Sequence, residues 1–288
     1  MHCFIFILFI LFPAMDAPHF DWQGHRGARG LAPENTLAAF ITALQYPSIT
    51  TLELDVVISG DRQVVVSHDP WMSPSICLHP DGNRIRDRKE QINLFKLPYA
   101  EIRTYDCGSK GHRHFPRQQA IPAVKPTLSE VVREVDRYCR EHGRPLPNFN
   151  IELKAKPKWD DRYTPVPSAF VELVYKEVRK LDITGRCCLQ SFDPRILRLL
   201  HQTDPNLTLA YLLEFPFQLE KVEEALGFRP NVISPYYKLV SRSLVEQVHH
   251  RGMRIIPWTV NRTRHMEHLM ELGVDGMITD YPDRIPEG

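Results

Sequence analysis

The chain has 288 residues, 43% of them apolar and 25% charged, an ordinary globular composition. Thirty-six Lys and Arg against 35 Asp and Glu leave a formal charge of +1. So balanced a chain carries no electrostatic signature of a nucleic-acid partner, and its length allows a sizeable buried core.

Residues 3–12, CFIFILFILF, form the one strongly apolar run, too short to span a bilayer, so no transmembrane span is expected. Its length fits the hydrophobic region of a secretory signal over residues 1–17, which would place the mature protein in a periplasm or outside the cell. Against this, Met1-His2 offers no Lys or Arg, and neither Ala14 nor Ala17 has a small residue two positions earlier. A functional start near Met15 would leave the protein cytoplasmic. Export is the preferred expectation, with one domain over 18–288. Cys77, Cys107, Cys139, Cys187 and Cys188 follow the leader without a Cys-x-x-Cys pair. They are expected to be reduced and packed as small apolar side chains.

From residue 20 onward β-like runs alternate with helical ones. FDWQGH (20–25) precedes NTLAAFITALQ, whose Leu37, Phe40, Ile41 and Leu44 keep helical spacing. TTLELDVVIS (50–59) and NFNIELKA (148–155) are strands, and Thr127 to Glu130 is a capping box opening a helix. CCLQSF (187–192), LTLAYLLE (207–214), NVISPYY (231–237), MRIIPWTV (253–260) and GMITD (276–280) complete eight strands. Strict alternation implies a parallel sheet, and eight units in this length favour a closed (β/α)8 TIM barrel over an open doubly wound sheet. Only YPDRIPEG follows the last strand, so the eighth outer helix is missing or vestigial, and the uncovered wall offers a homodimer contact. Residues 70–126 break the rhythm with Pro, Gly and charge, and read as an insertion or lid above the barrel mouth.

Polar residues collect at the strand ends, where a β/α barrel builds its active site. Strand one ends in His25-Arg26, strand two carries Glu53-x-Asp55, and strand three carries Glu152-x-Lys154. Period two puts each pair on one strand face. Glu53, Asp55 and Glu152 lie inside apolar runs, and buried ionised groups need partners or a metal. Three oxygen ligands point to one hard divalent cation, Mg2+ or Ca2+, with Arg26 and Lys154 balancing the remaining charge. TLELDVVIS-GD-RQVVVSHD reads as a hairpin; a two-residue turn would set His68 opposite Glu53, and a longer turn would shift that register. Two imidazoles, a dication and Arg26 suit phosphodiester cleavage: His25 and His68 for proton transfer, metal and guanidinium for the phosphate oxygens. There is no P-loop, and GARG lacks the dinucleotide-binding spacing. The glycines of GHRGARGLAPENT would let backbone approach a phosphate, with Asn35 or Thr36 capping the first helix.

GHRGARGLAPENT, the LELDVVIS and VVVSHD pair, IELK, LQSFD, IIPWTVN and GMITDYPD occur in the order found in glycerophosphodiester phosphodiesterases, which the chain resembles from about Phe20 to Asp283. The resemblance implies a barrel with an insertion after strand two and hydrolysis of glycerophosphodiesters to sn-glycerol 3-phosphate and an alcohol. It implies His25 and His68 as the acid/base pair, Arg26 and Lys154 at the phosphate, and Glu53, Asp55 and Glu152 on the metal. Trp258 would be an apolar wall for glycerol or the leaving group. Attack by the neighbouring glycerol hydroxyl and direct attack by water both remain open. The runner-up is a barrel phosphodiesterase acting on intact lipids or lysolipids, which an apolar rim at INLFKLPY (92–99) would favour. A non-catalytic phosphoglycerol-binding protein is the reading from a different class.

Overall fold

A computed structural model describes residues 20–86 and 91–286, so the expected leader over 1–17 lies outside the described residues. Among the described residues nine strands occur in chain order: β1 (Asp21–Gly24), β2 (Ile49–Ile58), β3 (Val64–Val66), β4 (Asn148–Leu153), β5 (Cys187–Ser191), β6 (Thr208–Leu213), β7 (Val232–Pro235), β8 (Arg254–Ile255) and β9 (Gly276–Thr279). Eight are parallel in the order β8-β7-β6-β5-β4-β2-β1-β9, and β3 pairs antiparallel with β2. The Ile278 N–H donates to Pro257 O and the Val260 N–H to Ile278 O, which brings the two ends of the sheet together. The chain therefore forms the nearly closed barrel expected, not an open sheet. Strand β8 is short because Pro257 has no N–H for the ladder.

Among the described residues seven outer helices alternate with the strands: α1 (Leu37–Leu44), α3 (Leu128–Glu141), α4 (Pro167–Lys180), α5 (Pro194–Thr203), α6 (Leu219–Leu226), α7 (Arg242–His250) and α8 (Thr263–Leu272). A short α2 (Tyr99–Ile102) belongs to the insertion. After β9 a single 3-10 turn, Pro282–Arg284, stands where an eighth helix would be. Local sequence explains the helix starts. Thr36, not Asn35, caps α1 by accepting the Ala39 N–H at 3.2 Å. Thr127 and Glu130 cap α3 reciprocally as expected. Helix α3 buries Leu128, Val131, Val132, Val135 and Cys139 on one face, each large side chain contributing roughly 1.5–3 kcal/mol.

The expected irregular segment 70–126 has its own small core, in which Met72, Ile76, Ile85, Leu94 and Ile102 pack against Val57 and Val65 of the β2–β3 hairpin. The 92–99 stretch is not an apolar rim. Leu94 is fully buried, and Ile92, Leu97 and Tyr99 pack onto the same cluster. The reduced state expected for every cysteine is also corrected, because Cys77 and Cys107 form a disulfide. Leu78 and Asp106 are an antiparallel bridge pair, which sets Cys77 directly across from Cys107. Cys139, Cys187 and Cys188 are free thiols. The insertion straddles the barrel mouth. Gln118 Nε2 donates to Arg29 O at 2.7 Å on one side, and Trp71 meets Trp159 edge-on at 5.8 Å on the other. Among the described residues no helix is long and apolar enough to cross a membrane.

Candidate active site

Strands β2 and β4 pair with Asp55 beside Glu152 and Glu53 beside Asn150, so their alternation brings three carboxylates together. Ligand oxygens of Glu53, Asp55 and Glu152 lie within 4.8 Å of one another, and all three residues are buried. Each has polar partners. Glu53 accepts from the Arg26 N–H at 3.0 Å and from Gln190 Nε2 at 2.9 Å. Asp55 accepts from Asn35 Nδ2 at 2.8 Å and is ion-paired to Arg26 Nε at 3.1 Å. Lys154 Nζ lies 2.7 Å from Glu152 and 3.5 Å from Asp55.

The electrostatics divide the triad. Burial and then Asp55 push the Glu53 carboxyl well above its usual range. Burial also raises Glu152, to about 7, with Asp55 adding to it against the pull of Lys154. Burial opposes ionisation of Asp55 as well, but Arg26 and Lys154 outweigh it and hold that carboxyl well below its usual range. This is the pattern of three carboxylates with too little positive charge between them.

His25 and Arg26 leave the end of β1 as expected. The turn is tight: a Cβ on Gly27, which has φ +81°, would lie 2.5 Å from the Ala39 backbone carbon. That glycine makes room for α1 rather than for a phosphate. His25 Nδ1 is 2.6 Å from Asp280 Oδ1. An ionised carboxylate only accepts, so Nδ1 carries the proton and Nε2 presents its lone pair, 3.9 Å from Glu53. Burial, followed by Arg29, lowers the His25 pKa to about 4 against the opposing pull of Asp280. Arg26 is held by Glu34 at 2.8 Å as well as by Asp55.

His68 reaches the same mouth by a different register from the one expected. Val56 faces Val66 and Ile58 faces Val64, because the hairpin turns through Gly60-Asp61-Arg62 with Arg62 at φ 65°. The extra turn residue shifts the pairing by one, so His68 is not opposite Glu53. It follows Ser67, whose N–H donates to Asp55 O at 2.9 Å. Its Nδ1 lies 2.9 Å from Asp69, and its side chain is 36% exposed against 12% for His25.

Sequence reasoning missed several partners. Asp280, 1% exposed, accepts from Arg29 Nε at 2.9 Å and Asn261 Nδ2 at 2.6 Å besides holding His25. Glu34 and Asn35 were read as a helix start, yet both bind site residues. Gln23, Asn150 and Gln190 form a hydrogen-bonded row that ends on Glu53, to which Gln190 donates. An Asp closing the last barrel strand and the amides inside apolar strand runs were the available signals.

The mouth is a cavity of about 670 Å³ lined by His25, Arg26, His68 and Lys154 on its polar side. Trp258 and Phe192, packed edge-on at 5.4 Å, wall the other side together with Phe217. Trp258 thus stands where expected, with its indole N–H donated to Ser234 O at 2.8 Å. The donor set of the triad is all oxygen, and among the described residues its Lys and Arg partners are Arg26 and Lys154, two cations for three carboxylates, so a hard dication fits it.

Proteins similar to this chain match it over most of their own length. A glycerophosphodiester phosphodiesterase of Bacillus altitudinis is 30% identical over 264 residues, covering 90% of this chain and 94% of its own. A crystal structure from Silicibacter pomeroyi DSS-3, of a protein assigned as a glycerophosphoryl diester phosphodiesterase, has a TM-score of 0.82 and 29% identity, covering 93% of this chain and 92% of its own. An Oleispira antarctica phosphodiesterase, solved in complex with the product sn-glycerol-3-phosphate, matches in fold with a TM-score of 0.72 and 23% identity, covering 92% and 94%. The family model of the glycerophosphoryl diester phosphodiesterases matches residues 25–284, and the chain belongs to that family.

Proposed function

We propose that the protein hydrolyses glycerophosphodiesters to sn-glycerol 3-phosphate and an alcohol. The observation that carries this reading is the meeting of Glu53, Asp55 and Glu152 within 4.8 Å at a mouth that His25 and His68 also line. Glu53, Asp55 and Glu152 would hold Mg2+ or Ca2+, which when bound neutralises charge on a phosphate.

Arg26 and Lys154 add fixed positive charge for the non-bridging oxygens, each anchored by carboxylates so that little reorganisation is needed. His25, its tautomer set by Asp280, accepts the proton of the attacking hydroxyl at Nε2. His68, oriented by Asp69, gives a proton to the departing alkoxide. One P–O bond to the alcohol breaks and one to the attacking oxygen forms, and the water consumed is shared between the two products. Trp258 and Phe192 supply an apolar wall for carbon-bound hydrogens of glycerol or the alcohol.

A second reading is supported by the β6–α6 connection, where Phe215 is 73% exposed beside Leu213 and Phe217 at the mouth. That rim suits the acyl chain of a lysolipid. Purified protein incubated with glycerophosphocholine, glycerophosphoethanolamine and a lysophospholipid tests both, with sn-glycerol 3-phosphate and lysophosphatidate as the measured products. Turnover of the first two supports the main reading. Turnover confined to the lysolipid selects the second, and no turnover of any diester overturns both.

A further inference from the structure

The 70–126 segment rejoins the barrel alongside β3. Val65 bridges Thr127 antiparallel and the Val66 N–H donates to Pro126 O at 2.8 Å, a register that sets Lys125 opposite Ser67. Both residues are buried, Ser67 wholly and Lys125 with 5% of its surface exposed. Lys125 Nζ donates to Ser67 Oγ at 2.9 Å. Among the described residues no carboxylate lies within ion-pairing distance of that ammonium, whereas Lys154 is met by both Glu152 and Asp55.

A buried ammonium with a single neutral partner is costly, and a methionine would fill the space without that cost. The contacts beyond Ser67 supply a use for the charge. An ammonium only donates, so the Ser67 hydroxyl accepts from it and turns its own proton elsewhere. That proton goes to Asp69 O at 2.6 Å, which ties the main chain on both sides of His68. Asp69 Oδ1 in turn lies 2.9 Å from His68 Nδ1. Burial opposes ionisation of Asp69, but His68, then Lys125 and Arg26, hold its carboxyl below the usual range. An ionised Asp69 only accepts, so His68 keeps a proton on Nδ1 and presents Nε2 to the mouth that it lines. Lys125 stands behind that mouth and is not part of its lining.

We infer that Lys125 is a positioning residue for the general acid: through Ser67 and Asp69 its ammonium holds His68 with Nε2 toward the departing alkoxide. The inference rests on the acid role proposed for His68 above. His25 is anchored separately, by Asp280 at 2.6 Å, so Lys125 bears on the leaving-group half of the proton transfer alone.

The test varies the leaving group. Choline leaves glycerophosphocholine as a basic alkoxide that needs a proton, whereas p-nitrophenolate leaves the p-nitrophenyl diester of sn-glycerol 3-phosphate without one. Steady-state kcat and KM are measured on both substrates for wild type, Lys125→Met, Ser67→Ala and His68→Ala. Lys125→Met should lower kcat on glycerophosphocholine by about 10-fold or more, with KM within a few-fold and kcat on the nitrophenyl diester within about 2-fold. Ser67→Ala cuts the relay and leaves the ammonium in place. It should show the same selectivity, and it decides the matter by the same criterion if Lys125→Met does not fold. His68→Ala supplies the reference, a larger loss confined to the same substrate. A loss in Lys125→Met that is equal on the two substrates, or no loss on either, overturns the inference while a selective His68→Ala leaves the hydrolase reading standing. An equal loss in His68→Ala removes His68 as the acid and the inference with it. Failure of wild type to turn over either diester refutes the hydrolase reading and everything built on it.

Discussion

The barrel and its insertion hold themselves together by different means. In the barrel, buried charges sit on adjacent strands in register, and each is met by a neighbour's amide, guanidinium or ammonium group. The insertion instead hangs on the outer face of the β2–β3 hairpin through a small separate core and the Cys77–Cys107 disulfide. The carboxylate cluster is held by the regular strand ladder, while the insertion rests on a few local staples.

Breaking the barrel side should have the largest effect. His25→Ala should lower kcat on glycerophosphocholine by about 10³-fold or more, a loss of roughly 4 kcal/mol in transition-state stabilisation, with an unchanged melting profile. A rate within a few-fold of wild type would remove His25 from proton transfer.

The insertion should respond in the opposite sense. The disulfide closes a separation of 30 residues, and its loss by Cys77→Ser should cost about 3–4 kcal/mol of stability. Denaturant unfolding measures this, and kcat measured well below the melting range should stay within a few-fold of wild type. A collapse of kcat at unchanged stability would mean that the insertion takes part in the chemistry.

The junction gives the smallest effect. Burial opposes ionisation of Glu34, but Arg26, Arg29 and His68 hold its carboxyl down at about 2. In the unfolded chain it titrates near 4.5. Below 4.5 the unfolded chain binds a proton that the folded chain refuses until about 2. Its contribution is therefore complete above that window and lost as pH falls through it, by up to about 3 kcal/mol. Glu34→Gln should flatten the stability profile across this window, and an unaltered acid limb would contradict the pairing with Arg26.

The barrel was the legible part of this sequence. Glu53, Asp55 and Glu152 were visible because carboxylates inside runs such as LELDVVI have no cheap explanation, and period two fixes the face they share. His68 was found with the wrong register because a left-handed Arg62 lengthens the hairpin loop, and no glycine or asparagine marks that position. Asp280 was missed because its partner His25 lies 255 residues away, at the other end of the chain. Glu34 and Asn35 sat in a stretch already explained as a helix start. The disulfide joins cysteines in a segment without periodicity, so no pattern announced their bridge.

The dependence of turnover on the carboxylate triad tests the account most directly. Release of sn-glycerol 3-phosphate from glycerophosphocholine should fall to background when chelator strips the protein, and return when Mg2+ or Ca2+ is restored to wild type but not to Glu152→Gln. Turnover that is indifferent to chelation, or full recovery in Glu152→Gln, would contradict a divalent cation held by Glu53, Asp55 and Glu152 as the centre of the chemistry.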